Sequence, residues 1–130
     1  MRCVIVDDSA DFVDAARRLL EHDGITVVGV ASTSAAAIRC VQDLRPDVML
    51  VGVDLGAENG FELAEQLHGS GFPAPPPVIM ISTHSELDLA DLIATSPAVG
   101  FLAKLGLSGA AVRELLAGST NLDEGNRPVS

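Results

Sequence analysis

Polar residues with metal-binding or reactive side chains stand at the ends of several apolar runs in this chain. Asp7 and Asp8 directly follow the first run, Ser82 ends a later one, and Lys104 follows the last. Adjacent carboxylates supply the oxygen ligands that a hard cation such as Mg²⁺ requires. Each residue also has an ordinary explanation, because Asp caps helices, Ser is common in turns and a lysine at a strand end is usually solvated. Their meaning therefore depends on the elements that position them.

The apolar runs predict five short strands that alternate with five helices. The predicted strands cover residues 3–6, 25–31, 48–53, 78–81 and 99–103. Capping residues and apolar residues at helical spacing predict the helices, of which the third covers residues 61–68 and the fifth ends at Gly118. This alternation favours a single α/β domain with a parallel sheet covered on both faces. Right-handed crossovers favour the flavodoxin-like (βα)5 three-layer fold with strand order 2-1-3-4-5.

Length and composition restrict the classes of function. A chain of 130 residues is expected to form one domain. Its formal net charge of −10 argues against direct binding to nucleic acid or to anionic membranes, because both are polyanions. The sequence has no signal-peptide pattern and no apolar run of membrane-spanning length, so we expect a cytoplasmic protein. Cys3 and Cys40 fall in a predicted strand and a predicted helix, which favours buried free thiols over a disulfide.

Residues 46–60, with the sequence PDVMLVGVDLGAENG, join an apolar run to a polar loop that contains glycine. A short apolar run bounded by turn signals is typical of a central strand buried on both faces of a parallel sheet. In open α/β sheets the ligand crevice lies outside the carboxyl ends of the strands. Gly52 and Asp54 are predicted to lie at that edge, so either position could belong to a site.

The same segment resembles the third strand and following loop of response-regulator receiver domains, the phosphate-accepting modules of two-component signalling. Their pattern is Pro-Asp, four apolar residues, the phosphoacceptor aspartate, and then eight residues ending in glycine. Laid on residues 46–60 without gaps, the pattern places Gly52 at the acceptor position. Use of Asp54 instead would lengthen the strand side by two residues and shorten the loop side by two. The resemblance thus implies that the reactive carboxylate is missing, with Asp54 as the alternative acceptor.

The resemblance covers residues 2 to about 117 and implies roles for the other polar residues. Asp7 and Asp8 match the acid pair that binds Mg²⁺ in the family. We expect this binding to be weak here, because Gly52 removes one carboxylate ligand. Ser82 and Lys104 match the hydroxyl and the lysine that contact the phosphoryl group.

Two further positions bear on how such a domain switches. Phe101 matches the aromatic residue that rotates inward on activation, although it is equally interpretable as a core residue. Receivers usually follow the matching lysine with a cis proline, whereas this chain has Leu105. We predict a receiver domain over residues 1–118 and a flexible C-terminal tail over residues 119–130. The tail is too short for an output domain, so the chain is a stand-alone receiver or a piece of a longer protein.

The first functional hypothesis is a receiver that cannot be phosphorylated at the usual position and acts by protein–protein docking, without enzymatic activity. The predicted docking face consists of the fourth helix, the fifth strand and the fifth helix. A capping box at Ser85 and Asp88 starts the fourth helix, which runs to about Ala94. Leu89 and Leu92 are expected to lie off its core-facing stripe, which consists of Leu87, Ala90, Ile93 and Ala94. A homodimer is one form that such docking could take.

The alternative is a conventional phosphoaccepting receiver that catalyses its own phosphorylation from a histidine-kinase phosphodonor. It holds if Gly52 is an accidental or engineered replacement of aspartate, or if Asp54 accepts the phosphoryl group. In that case a histidine kinase is a partner and Mg²⁺ is a cofactor. Uptake of one phosphoryl group from a small phosphodonor would distinguish the two hypotheses.

Overall fold

The computed structural model of the chain describes residues 1–69, 75–83 and 89–125. In chain order the elements are β1 (Arg2–Val6), α1 (Ala10–His22), β2 (Thr26–Ala31), α2 (Ser34–Leu44), β3 (Val48–Gly52), β4 (Asp54–Leu55), β5 (Glu58–Asn59), α3 (Gly60–Gly69), β6 (Val78–Ser82), α4 (Ala90–Thr95), β7 (Gly100–Ala103) and α5 (Gly109–Gly125). A 3-10 turn, Lys104–Gly106, separates β7 from α5. The five predicted strands agree with the observed ones to within one residue at each end.

Five of the strands form one parallel sheet in the order β2-β1-β3-β6-β7. Counted without the short strands β4 and β5, this is the predicted order 2-1-3-4-5. Strands β3 and β6 lie at the centre and are buried at every position. Parallel strands covered by helices on both faces are expected to be apolar throughout, as these two largely are. The predicted flavodoxin-like fold is confirmed.

Each face of the sheet carries its own apolar cluster. Side chains alternate along a strand, so in β1 the residues Cys3 and Ile5 enter one cluster while Val4 and Val6 enter the other. Helices α1 and α5 cover the first cluster through Val13, Ala16, Leu20 and Val112. Helices α2 and α3 cover the second through Ala37, Val41, Leu63, Ala64 and Leu67. The sheet therefore lies between two layers of helices, and its carboxyl edge is left for a site.

A short hairpin, which was not predicted, follows the central strand. Strands β4 and β5 pair antiparallel through Asp54 with Asn59 and Leu55 with Glu58. The turn between them contains Gly56 at φ +64°, a left-handed conformation that glycine adopts at little cost. The Glu58 carboxylate accepts a hydrogen bond from the Ser34 backbone N–H at 2.9 Å. The loop after β3 is thus tied to the start of α2 instead of being irregular.

The ends of two helices differ from the prediction. Helix α5 continues to Gly125, so Gly118 does not end it, and residues 119–125 of the predicted tail are helical in backbone conformation. Helix α4 begins at Ala90 and ends at Thr95. Its predicted capping box, Ser85 and Asp88, lies outside the described residues, as does Leu87. Leu89 is the residue before the helix and offers no side-chain cap.

The faces of α4 also differ from the predicted stripe. Leu89 and Ile93 are half-buried and pack against the apolar cluster that α2 and α3 cover. Ala90 and Ala94, which were predicted to face the core, are exposed. Leu92 is 48% exposed, as expected for a residue off the core. The prediction that both leucines lie off the core was therefore wrong for Leu89 and agrees with the structure for Leu92.

Both cysteines are free thiols, as predicted, although only Cys3 is fully buried and Cys40 is half-buried. Cys3 faces the cluster under α1, whereas Cys40 packs on the opposite face of the sheet. Burial raises the pKa of the Cys3 thiol from 9.0 to about 12, and a backbone hydrogen bond with Leu50 opposes this effect. Among the described residues, no helix is long and apolar enough to span a membrane.

Candidate functional site

Four positions meet at the carboxyl edge of the sheet. Asp7 follows β1, Gly52 ends β3, Ser82 ends β6 and Lys104 follows β7. The strand register aligns these ends, since Gly52 pairs with Ile81 and Ser82 pairs with Ala103. Asp7 and Ser82 are 2% and 3% exposed, and they are the buried polar residues of the described part of the chain. The predicted site residues are thus brought to one edge by the parallel topology.

Asp7 is fixed by the backbone around it. Its N–H donates to the carbonyl of Ala31 at 3.0 Å, which extends the pairing of β1 with β2 by one residue. Its Oδ1 accepts a hydrogen bond from the Ser9 N–H at 2.9 Å. Ser9 in turn caps α1, because its hydroxyl accepts from the Phe12 N–H at 3.3 Å. The carboxylate is therefore aimed into the site by the same turn that starts α1.

The second oxygen of Asp7 faces a lysine. Lys104 Nζ lies 3.0 Å from Asp7 Oδ2, and the two side chains are 20% and 0% exposed. The contact is an ion pair without hydrogen-bond geometry, and Asp7 Oδ2 accepts no hydrogen bond within the described part of the protein. A buried carboxylate needs a compensating charge, because removal from water strongly disfavours the ionised form. Lys104 supplies that charge.

Lys104 also contacts an aromatic ring that the sequence did not indicate as part of the site. Its Nζ lies 4.4 Å from the centroid of the Phe12 ring, within the range of a cation–π interaction. Phe12 is half-buried in the first turn of α1. Ser9, which caps α1, and Phe12, which contacts Lys104, are therefore one helical turn apart.

The space next to Gly52 is filled by Asp7. A Cβ atom added at Gly52 would lie 2.5 Å from Asp7 Oδ2, 3.2 Å from Asp7 Cγ and 3.4 Å from the carbonyl oxygen of Val6. Real Cβ atoms almost never make contacts under 3.0 Å, so any side chain here would displace the Asp7 carboxylate. The carboxylate of Asp7 thus occupies the direction in which a side chain at position 52 would project.

The other two candidate carboxylates lie at the outside of the site. Asp8 is exposed, and its Oδ2 comes within 3.7 Å of the position that a Cβ of Gly56 would take at the hairpin tip. Asp54 is exposed and begins the hairpin, where it pairs with Asn59. Neither shares the burial of Asp7. Phe101, in contrast, is buried on β7 beside Met80 of β6.

A family model described as the response regulator receiver domain matches residues 3–112 of this chain. The chain belongs to the response-regulator receiver family. It is 33% identical over 86 residues to a protein-glutamate methylesterase/protein-glutamine glutaminase of Haloarcula marismortui, a match that covers 66% of this chain and 22% of that protein. It is 26% identical over 104 residues to the DNA-binding transcriptional activator EvgA of Escherichia coli K12, covering 80% of this chain and 50% of that one. The receiver thus spans half or less of the length of these relatives.

Solved receiver structures have the same fold. The signal receiver domain of the putative response regulator NarL from Mycobacterium tuberculosis superposes with a TM-score of 0.77 at 28% identity, covering 92% of this chain and 95% of that one. A CheY-like receiver domain from Methanospirillum hungatei superposes with a TM-score of 0.72 at 21% identity, covering 97% and 98%. The protein is therefore a receiver domain of two-component signalling in both sequence and fold.

The site of this receiver does not fit an Mg²⁺ ion in the observed conformation. In the described ranges, no three His, Cys, Asp or Glu side chains form a group that could hold a metal. Asp7 and Asp8 are two adjacent carboxylates, but an ammonium group lies 3.0 Å from the inner oxygen of Asp7. A cation bound to that oxygen would be repelled by Lys104 unless the lysine moved away. Gly52 offers no third ligand.

Proposed function

We propose that this receiver works without aspartyl phosphorylation and transmits a signal by docking a protein partner. The observation that carries the proposal is Gly52 at the end of β3, with the carboxylate of Asp7 in the space beside it. Formation of an aspartyl phosphate is covalent catalysis and requires a carboxylate nucleophile. The gapless match of residues 46–60 to the receiver pattern assigns that role to position 52, and glycine cannot perform it. The domain is then a pseudo-receiver and not an enzyme.

The position of Gly60 supports the same alignment. A Cβ at Gly60 would collide with the carbonyl oxygen of Gly52, and the Gly60 N–H donates to the Val53 carbonyl oxygen at 2.8 Å. Glycine is therefore sterically required at the position where the receiver pattern ends in glycine. An alignment that makes Asp54 the acceptor would move this glycine away from the pattern by two residues.

Asp54 is a poor substitute for the missing carboxylate. It lies two residues beyond Gly52, in the hairpin instead of the sheet, and it is exposed. Phosphoryl transfer tolerates little misplacement of the nucleophile, and a displacement of about 1 Å can reduce a rate about a hundredfold. We therefore assign no acceptor role to Asp54 in the observed conformation.

One observation favours the second candidate, a conventional receiver. Asp7, Ser82 and Lys104 lie at the same edge of the sheet, as residues that handle a phosphoryl group would. A chain with a replaced acceptor would keep this arrangement. Replacement of one residue would then restore function, with Mg²⁺ as cofactor and a histidine kinase as partner.

Intact-mass measurement tests both candidates. The chain, its Gly52→Asp variant and its Asp54→Asn variant are each incubated with acetyl phosphate and Mg²⁺. We expect one added phosphoryl group on Gly52→Asp and none on the unmodified chain. Phosphorylation of the unmodified chain, lost in Asp54→Asn, would refute the proposal and make Asp54 the acceptor.

The proposed docking face consists of α4, β7 and α5. Leu92 on α4 is 48% exposed, and Leu105, directly after Lys104, is fully exposed. We propose that a partner buries these two exposed leucines. The partner we propose is a protein, either a signalling protein or a second copy of this chain. The acidic character of the chain disfavours nucleic acid and anionic membranes, and we place the interaction in the cytoplasm.

A further inference from the structure

We propose that Lys104 acts as a built-in counter-ion that takes the place of a metal ion in the acid pocket. This inference rests on the proposed function, since it explains how a receiver that lacks the acceptor carboxylate maintains its pocket without Mg²⁺. Lys104 is the only lysine in the chain, the other seven basic residues being arginines. The buried carboxylate is thus neutralised by one specific side chain.

The charge of Asp7 makes such a counter-ion necessary. The Asp7 side chain is completely buried, and its Oδ1 is satisfied by the Ser9 N–H. Its Oδ2 has no hydrogen-bond donor in the described portion of the chain, and the charged group that faces it is Lys104 Nζ at 3.0 Å. A metal ion would also compensate this charge, but it would need the same oxygen. Lys104 and a metal ion therefore compete for Asp7.

Phe12 and the turn after β7 position the lysine for this role. The ring of Phe12 lies 4.4 Å from Nζ, so the ammonium is attracted to the aromatic face and to the carboxylate together. The backbone of Lys104 begins a 3-10 turn, and its carbonyl accepts from the Leu107 N–H at 3.4 Å. Phe12 is therefore a positioning residue, because it acts on the pocket through Lys104.

Glycine at position 52 is part of the same arrangement. The Asp7 oxygen that meets Lys104 is the one that would lie 2.5 Å from a Cβ added at Gly52. A side chain at position 52 would push this oxygen away and break the ion pair or share it. Glycine at position 52 thus leaves room for the Asp7 carboxylate in the position where it pairs with Lys104.

The first test asks whether removal of the lysine creates a site for a cation. Melting temperatures of the unmodified chain and of Lys104→Met are measured with and without about 10 mM Mg²⁺, roughly tenfold above the millimolar dissociation constants of weak divalent-cation sites. We expect no shift for the unmodified chain and an upward shift for Lys104→Met, because Asp7 and Asp8 then lack a counter-charge. Arg17→Met is the matched control, since it removes a cation from the exposed Arg17–Glu21 pair. Absence of a gain in Lys104→Met relative to Arg17→Met would overturn the proposal.

The second test measures the coupling of the pair by a double-mutant cycle. The variants are Asp7→Asn, Lys104→Met and the double variant, compared by urea denaturation. The control cycle uses Arg17→Met and Glu21→Gln, whose charged atoms lie 3.7 Å apart on the surface in the unmodified chain. We expect a coupling of at least about fivefold in the unfolding equilibrium constant for the buried pair and a smaller one for the control. Equal couplings would refute the role of Lys104.

Two further measurements keep the result interpretable. If Lys104→Met does not fold, Lys104→Gln replaces it. Recovery of folding in the double variant with Asp7→Asn supports the proposal, because an unpaired buried charge is then the cause of the unfolding.

Phe12→Leu keeps an apolar side chain but removes the ring, so we expect a partial response of the melting temperature to Mg²⁺. No response would exclude Phe12 as a positioning residue. Uptake of a phosphoryl group by the unmodified chain would refute the proposed function. The double-mutant cycle tests only the Asp7–Lys104 ion pair, so the two failures can be told apart.

Discussion

At the scale of single residues, the carboxylate of Asp7 limits which side chains position 52 can accommodate. That carboxylate is buried, paired with Lys104 at 3.0 Å, and only 2.5 Å from where a Cβ at Gly52 would lie. The far end of a side chain can rotate, so a substitution is sterically possible at the cost of the ion pair. A substitution at position 52 should therefore change both the steric contacts of Asp7 and its ion pair with Lys104.

Gly52→Asp and Gly52→Ala separate these two effects. Alanine adds only the clash, whereas aspartate adds the clash and a third carboxylate next to Asp7 and Asp8, which repel one another. Without metal we expect both variants to be less stable than the unmodified chain. Mg²⁺ should stabilise Gly52→Asp alone, by about 2.7 kcal/mol when its concentration reaches about a hundred times the dissociation constant. Melting curves measure this, and an equal Mg²⁺ response of Gly52→Ala would contradict it.

The Cys3 thiol provides a second prediction at this scale. Burial raises its pKa to about 12, so the folded state disfavours the thiolate, whereas the unfolded chain ionises near 9.0. The stability that the neutral thiol contributes is thus complete below the unfolded pKa of 9.0 and is lost as the pH rises towards about 12. At a pH of about 8, below the unfolded pKa, we expect Cys3 to resist a thiol reagent until the chain is unfolded. Cys40→Ala isolates the Cys3 signal, and rapid labelling of that folded variant would contradict the burial.

At the scale of elements, the strands were predictable and the features that shape the site were not. Continuous apolar runs bounded by turn residues predicted all five long strands, and the preference for right-handed crossovers favoured the strand order that the structure has. The hairpin of residues 54–59 was not predicted, because its two-residue strands are too short to show a periodic pattern and its hydrogen bond from Ser34 to Glu58 joins residues 24 positions apart. The Phe12–Lys104 contact was missed for the same reason, as it joins residues far apart in the sequence. Residue counting aligned Gly52 with the acceptor position of the receiver pattern, but nothing in the sequence indicated that the Asp7 carboxylate lies beside it.

Gly60 should matter more to these elements than its size suggests. A Cβ there would collide with the Gly52 carbonyl, which belongs to the central strand and cannot rotate away. We expect Gly60→Ala to cost about 1–3 kcal/mol of unfolding free energy, as overpacking typically does. Gly106→Ala is the control, because nothing lies within 4 Å of its added Cβ. Urea denaturation compares the two, and similar free energies would show that β3 and α3 can separate without cost.

Helix α4 allows a similar comparison between a core leucine and a surface leucine. Leu89 packs against the core, whereas Leu92 is half-exposed. We expect Leu92→Ser to change the unfolding free energy by about 0.5 kcal/mol or less, and Leu89→Ser to cost at least about 1 kcal/mol. Chemical denaturation measures both. A large loss for Leu92→Ser would remove it from the proposed docking face.

At the scale of the whole molecule, the buried Asp7 of the proposed pseudo-receiver already has a counter-charge in Lys104, while Asp8 is exposed to solvent. A ligand shifts a conformational equilibrium only by its differential affinity for the two states. In this domain Asp7 is paired with Lys104, position 52 has no side chain, and Phe101 is buried on β7. Under the proposal, Mg²⁺ would have to displace Lys104 from Asp7, and a phosphodonor would find no carboxylate at position 52, so we expect neither to favour a second state. The conformation of the docking face should follow partner binding alone.

The single lysine makes this testable in one spectrum. Growth with isotope-labelled lysine marks Lys104 alone, so its amide and side-chain signals report on the pocket and on the end of β7 without overlap. We expect these signals to stay unchanged when Mg²⁺ and acetyl phosphate are added to the unmodified chain. In Gly52→Asp the same additions should move them, because the restored carboxylate competes with Asp7 for the ammonium group and then carries the phosphoryl group. Asp7→Asn is the control for the ion pair, and its Lys104 signals should differ from those of the unmodified chain before any addition. Movement of the Lys104 signals in the unmodified chain would show that the pocket still responds to its family's ligands, and the pseudo-receiver assignment would then fail.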